Sequence, residues 1–155
     1  MRLKQEQIDN LPRPLVKRSQ WVAASITPHP DRSGKTEKRP VNPHTGSLAS
    51  STDPATWGTL EQALAMAERL GAQGAVGYVF SADDPYTGID FDDCYDGDGI
   101  LAPEVGERVR ALDSYTERSL SGRGLHVIVE GKLPPGGRRP STTTCSPRPL
   151  KLRSV

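Results

Sequence analysis

An α+β fold with a mostly antiparallel sheet is predicted by three features of the 155-residue sequence. Short β-prone apolar runs recur along the chain, two segments of helical period lie between them, and the links are of hairpin length. The length suits one modest domain. Hydrophobic residues make up 34% of the chain, but only two Trp, four Tyr and two Phe are present, so the core must be built largely from Val, Leu, Ile and Ala.

The elements follow in chain order. WVAASI, Trp21 to Ile26, comes after the breaker-rich LPRPLVKRSQ and reads as a strand. Thr27 to Thr56 is dominated by Pro, Asn, Gly, Ser, His and Lys without a sustained period, which predicts a long loop with room for an embedded hairpin. Thr59 followed by Gln62 is a capping-box signature. Leu60, Ala63, Leu64, Ala67 and Leu70 then share a helical face up to Gly71. AVGYVF (Ala75 to Phe80) and GIDFD (Gly88 to Asp92) are strand candidates joined by the acidic turn SADDPYT, and an antiparallel pair is the economical expectation. Pro103 opens a second helix, with Val105, Val109 and Leu112 on one face, ending near Asp113. SYTERS (Ser114 to Ser119) and LHVIV (Leu125 to Val129) form a hairpin-like pair across LSGRG. Expected boundaries are an N-terminal extension over 1–20, a domain over 21–130 and a tail over 131–155. The tail is rich in Pro, Ser and Thr, too poor in apolar residues to fold alone, and expected to be disordered.

Charge is unevenly spread. Against 20 basic and 19 acidic residues overall, the segment after Glu130 carries Lys132, Arg138, Arg139, Arg148, Lys151 and Arg153 and no acid. Seven aspartates (Asp83, Asp84, Asp90, Asp92, Asp93, Asp96 and Asp98) crowd one short stretch, which repels itself unless cations or solvent compensate. No apolar run approaches the roughly 18 residues of a spanning helix, and no apolar stretch follows the basic N-terminus, so a cytoplasmic, non-membrane protein is expected. Cys94 and Cys145 offer neither a disulfide framework nor zinc spacing and are read as free thiols.

Two constellations can do chemistry. Asp90 and Asp92 flank Phe91, and strand alternation would project both carboxylates from one face. Such a pair can share Mg²⁺ or Mn²⁺ while leaving positions for phosphate oxygens, as in two-metal phosphoryl transfer. Taken alone, D-x-D is more often an acidic surface turn. An EF-hand counted from Asp92 fails, because Cys94 and Pro103 stand where ligands are required. The second constellation is Ser121, Gly122, Arg123 and Gly124 leading to His126. Glycines let backbone amides approach an anion, while Ser121, Arg123 and His126 add donors suited to a triphosphate. Alone, it is more often a plain hairpin link. Together the two supply complementary halves of a nucleotidyl-transfer site.

GIDFDDC followed by SYTERSLSGRGLHVIV resembles the primase-polymerase domains of the archaeo-eukaryotic primase superfamily, of phage and plasmid replication type, over about Trp21 to Val129. The resemblance implies an N-terminal α/β unit with an RRM-like, mostly antiparallel sheet. It implies catalytic Asp90, Asp92 and His126, with Asp90 and Asp92 holding Mg²⁺ or Mn²⁺. Ser121, Gly122, Arg123, Gly124, His126 and the upstream Lys38 would bind nucleotide, with Arg39 a weaker phosphate contact. Its partners would be a DNA template and primer, nucleoside triphosphates, and a helicase domain or protein. Trp57 is a base-stacking candidate that more often closes a core, and Glu117 is given no role.

The family's third acid, on a later strand, has no counterpart after Glu130. Truncation or a change of reading frame near Gly136 to Pro140 is therefore expected, with activity in doubt. The alternatives are a noncatalytic nucleic-acid-binding remnant that uses the basic tail, and a metal-dependent nuclease.

Overall fold

The structure, a computed structural model, describes residues 8–31, 36–132 and 151–153. The chain divides into two compact units, Met1–Val79 and Phe80–Val155, a division that does not coincide with the expected boundaries at 20 and 130. Each unit carries an antiparallel sheet, so the α+β class holds.

In the first unit, helix α1 (Arg13–Val16) is a single turn entered through Pro12, and its Leu15 is fully buried. The Trp21 indole N–H donates to the Leu15 carbonyl at 3.0 Å, so this N-terminal segment belongs to the unit's core. Strand β1 (Trp21–Pro28) lies between β2 (Thr36–Val41) and β3 (Gly74–Tyr78), antiparallel to both. Within Thr27–Thr56, expected as a long loop with room for a hairpin of its own, the structure has β2, and its hairpin partner is the preceding strand β1. Helix α2 (Leu60–Arg69) opens with the expected capping box: Thr59 Oγ1 accepts from Gln62 N–H, and Gln62 Oε1 accepts from Thr59 N–H. Its Met66 packs with Ala23 and Val41. At Gly74 a Cβ would collide with the Ala67 carbonyl, so only glycine lets β3 start this close beneath the helix. Trp57 is buried with Val22, Ala49 and Val79, and its indole donates to the Ser50 carbonyl. Its role is structural.

The second unit's sheet runs β5–β6–β4–β7, antiparallel throughout: β4 is Tyr86–Phe91, β5 Tyr115–Arg118, β6 Leu125–Glu130 and β7 Lys151–Arg153. The SYTERS–LHVIV hairpin is realised as β5–β6. Ile89, Phe91, Leu125 and Val127 alternate onto one face, where they pack with Cys94 and with Val105 of helix α3 (Pro103–Leu112). That helix starts at the expected proline and ends at Asp113, whose φ of 42° makes a left-handed cap.

Two expectations are corrected. The segments AVGYVF and GIDFD do not pair: β3 joins β1, while both edges of β4 are occupied by β6 and β7. Between them, the buried Asp84 carboxylate accepts from the Ser81 and Tyr86 amides at 2.8 Å, making a local turn rather than a strand-to-strand hairpin. Strand β4 also ends at Phe91, so Asp92 lies just past it, in the turn where Asp93 takes φ 48°.

The tail expected to be disordered lies outside the described residues except for Gly131, Lys132 and β7, and the expected frame change near 136–140 falls outside them as well. Cys94 is a free, buried thiol, whereas Cys145 lies outside the described residues. No described helix is long and apolar enough to cross a membrane.

Candidate active site

Period-two alternation sends Ile89 and Phe91 of β4 into the core and leaves Asp90 on the opposite face. On β6 the same alternation buries Leu125 and Val127 and turns His126 outward. The β4–β6 register makes Asp90 and His126 direct partners, and His126 Nε2 stands 3.7 Å from Asp90 Oδ1. The two side chains are 21% and 35% exposed, open to a ligand yet sheltered enough for their charges to matter more than those of a solvated pair. The sheet therefore brings together the first acid and the histidine of the two motifs, thirty-six positions apart in sequence.

Asp92 is exposed, separated from Asp90 by the inward-facing Phe91. Both aspartates offer carboxylate oxygens, the donors Mg²⁺ and Mn²⁺ prefer. Among the described residues no group of three His, Cys, Asp or Glu is placed to hold a metal ion. A cation at Asp90 and Asp92 would complete its shell with phosphate oxygens and water, the usual arrangement for Mg²⁺ beside a nucleotide, and on those terms the donor chemistry fits.

The link between β5 and β6 is a self-bonded turn. Ser119 Oγ accepts from the Gly124 amide at 3.0 Å, the Gly122 amide donates to the Ser119 carbonyl at 2.8 Å, and Ser119 and Ser121 hydroxyls lie 3.0 Å apart. Gly122 takes φ 72°, and a Cβ on Gly124 would come within 2.5 Å of the Phe91 carbonyl, so both glycines are required by the backbone path. The Arg123 carbonyl accepts from the Cys94 amide at 2.8 Å, and its guanidinium meets Asp93 at 2.9 Å. These contacts clamp the glycine turn against the end of β4, next to the acids. With the Gly122 and Gly124 amides engaged inside the turn, the groups it offers outward are the exposed Ser121 and the Arg123 guanidinium. Arg118 braces the turn from below: its Nε donates to the Gly122 carbonyl at 3.0 Å, and its guanidinium carbon sits 4.0 Å from the Tyr95 ring centroid.

Lys38 and Arg39 are exposed on β2 of the first unit, in a strand rather than a loop, with Arg39 beside Glu37 at 3.5 Å. They are not among the residues the second unit gathers. Glu117 is the residue sequence reasoning passed over: its Oε1 lies 3.1 Å from His126 Nδ1. Once SYTERS and LHVIV are paired, alternation along the hairpin is the signal that could have found it. The acidic stretch also resolves into separate tasks, since Asp84 and Asp96 organise turns. Asp96 Oδ1 accepts from the Asp98 and Ile100 amides, which fits a folded loop better than a calcium site.

No protein-family model matches the chain. Over 98 residues it is 45% identical to the DNA Primase-polymerase of Nitratiruptor phage NrS-1, a stretch that covers 63% of this chain and 14% of that protein. The chain thus spans a small part of the length of the curated relative it matches. The similarity supports the primase-polymerase resemblance read from the sequence at the level of a domain.

Proposed function

We propose that the second unit carries the nucleotide-binding and acidic face of a DNA primase-polymerase, with an archaeo-eukaryotic primase-like fold, acting in phage or plasmid replication. The observation that supports it most is the cross-strand pairing of Asp90 with His126 beside the clamped glycine turn. Asp90 and Asp92 would hold Mg²⁺ or Mn²⁺, which when bound neutralises phosphate charge and favours attack of a primer 3′-hydroxyl on the α-phosphate with loss of pyrophosphate. His126 Nε2 and the Arg123 guanidinium would orient the triphosphate, and Ser121 would add a hydroxyl donor. Gly122, at φ 72°, and Gly124, packed against the Phe91 carbonyl, would hold the turn in the path that presents Ser121 and Arg123. Template and primer DNA, a helicase partner and a cytoplasmic setting belong to the same proposal.

A second reading, noncatalytic binding of nucleic acid, is favoured by one observation. Strand β7, which pairs with β4 at Asp90, carries no acidic residue in its sequence. Incubation of the chain with labelled dNTPs, a primed template and Mn²⁺ separates the possibilities. Primer extension is expected. A gel shift without extension would establish the binding reading, and shortening of the primer would establish a nuclease.

A further inference from the structure

Three strands of the second unit set Glu117, His126 and Asp90 in one row: Glu117 is the β5 partner of His126, and Asp90 its β4 partner. Antiparallel partners share a face, so the row lies opposite the face that buries Ile89, Phe91, Leu125 and Val127. The imidazole is held from both sides, with Nδ1 3.1 Å from Glu117 Oε1 and Nε2 3.7 Å from Asp90 Oδ1. A half-turn about χ2 would exchange each ring nitrogen for a carbon, and only a partner at one nitrogen can choose between the two settings. The partner here is itself held: the Tyr115 hydroxyl donates to Glu117 Oε2 at 3.0 Å. Burial, and then the neighbouring Glu117, push the Tyr115 phenol above its ordinary range, so it stays protonated and remains a donor.

Building on the nucleotide-binding reading, we infer that Glu117 is a positioning residue for His126, locking the ring so that Nε2 rather than Cε1 faces the triphosphate beside Asp90. The alternative, a surface contact of no consequence, is the usual fate of an exposed pair. It differs in having no effect on the ring. Tyr115 acts one step further out, by holding Glu117.

The test compares the full chain with Glu117→Ala and Glu117→Gln. Long-range ¹H–¹⁵N spectra of the imidazole, assigned with His126→Gln, read the ring directly and need no nucleotide. In the parent chain Nδ1 should carry the proton and donate to Glu117. Glu117→Ala should lose that pattern, and Glu117→Gln, whose amide oxygen still accepts, should keep it. Titration with dGTP and Mn²⁺ should show about ten-fold weaker binding for Glu117→Ala and a change within about three-fold for Glu117→Gln. Equal thermal midpoints for the three proteins show that folding is intact. A ring spectrum in Glu117→Ala identical to the parent's overturns the inference, as does an equal loss of dGTP binding in both variants. If the parent itself fails to bind dGTP, the nucleotide reading falls, while the ring spectrum still decides whether Glu117 sets the imidazole.

Discussion

The two units are built from nearly the same parts and differ in what they do with polar residues. Each has an antiparallel sheet and a ten-residue helix. Each also has one glycine at which a carbonyl leaves no space for a Cβ, Gly74 under Ala67 and Gly124 against Phe91. In the first unit the polar side chains near the fold's joints serve the backbone. Thr59 and Gln62 cap the helix, Asn42 Oδ1 accepts from the His44 amide at 2.8 Å, and His44 Nε2 is 2.8 Å from the Trp57 carbonyl. In the second unit Asp84 and Asp96 do similar work, but Glu117, His126 and Asp90 line a sheet face with their bonds directed at one another. Similar architecture therefore does not make two sites. A site arises where strand register aligns ionisable groups on the face that the core leaves open.

The strongest way to break this contrast is at the acids. Asp90→Ala and Asp92→Ala should each reduce primer extension by more than about 100-fold while leaving circular dichroism unchanged. The exposed first-unit variant Leu48→Ser should leave extension as it was. Full activity in either aspartate variant would remove the second unit's claim to the chemistry.

The glycines sharpen the comparison on the stability side. Gly74→Ala should destabilise by about 3 kcal/mol and Gly124→Ala by about 2 kcal/mol in chemical denaturation, because each forces a backbone carbonyl to move. Gly97→Ala, with nothing near its Cβ position, should stay within about 0.5 kcal/mol of the parent. Loss of dGTP binding in Gly124→Ala but not in Gly74→Ala would tie the second glycine to the site.

The helix starts give a smaller contrast. Thr59→Ala should cost about 1 kcal/mol by removing the capping box of α2. Helix α3 has Ala102 at its N-cap with no side-chain bond, so Ala102→Ser should gain about 0.5 kcal/mol in the same denaturation measurement. The smallest effect concerns Cys94. Burial pushes its thiol above the ordinary range, which lowers the thiolate fraction, so a disulfide exchange reagent at pH 7.5 should label Cys94 only at the rate of unfolding. Rapid labelling in the native protein would contradict the closed core described for the second unit.

Much of the secondary structure was legible locally. The Thr59–Gln62 box, the Pro103 start, the Asp113 end and the β5–β6 hairpin all depend on residues within a few positions of each other, where capping chemistry and periodicity act. The short helix holding Leu15 was not legible, since a single turn that follows Pro12 and contains Pro14 carries no period, and its tie to the core, the Trp21 indole bond to the Leu15 carbonyl, is a tertiary contact. The partners of β3 and β4 were also missed. A run such as GIDFD specifies which residues share a face but not which strand lies alongside it. Glu117 went unnoticed for the same reason, because its meaning depends on standing opposite His126.

From the sequence alone came the class of fold, the alternation that separates Asp90 from Phe91, and a resemblance to primase-polymerases that the similarity to the phage DNA Primase-polymerase supports. Tertiary structure alone decided that the Asp90 and His126 strands are neighbours, that the glycine turn is clamped by Arg123 and Cys94, and that Glu117 reaches the imidazole. The physical reason is range. Capping and side-chain alternation are settled within a few residues, whereas strand partnership and register are chosen by burial of distant surfaces against each other.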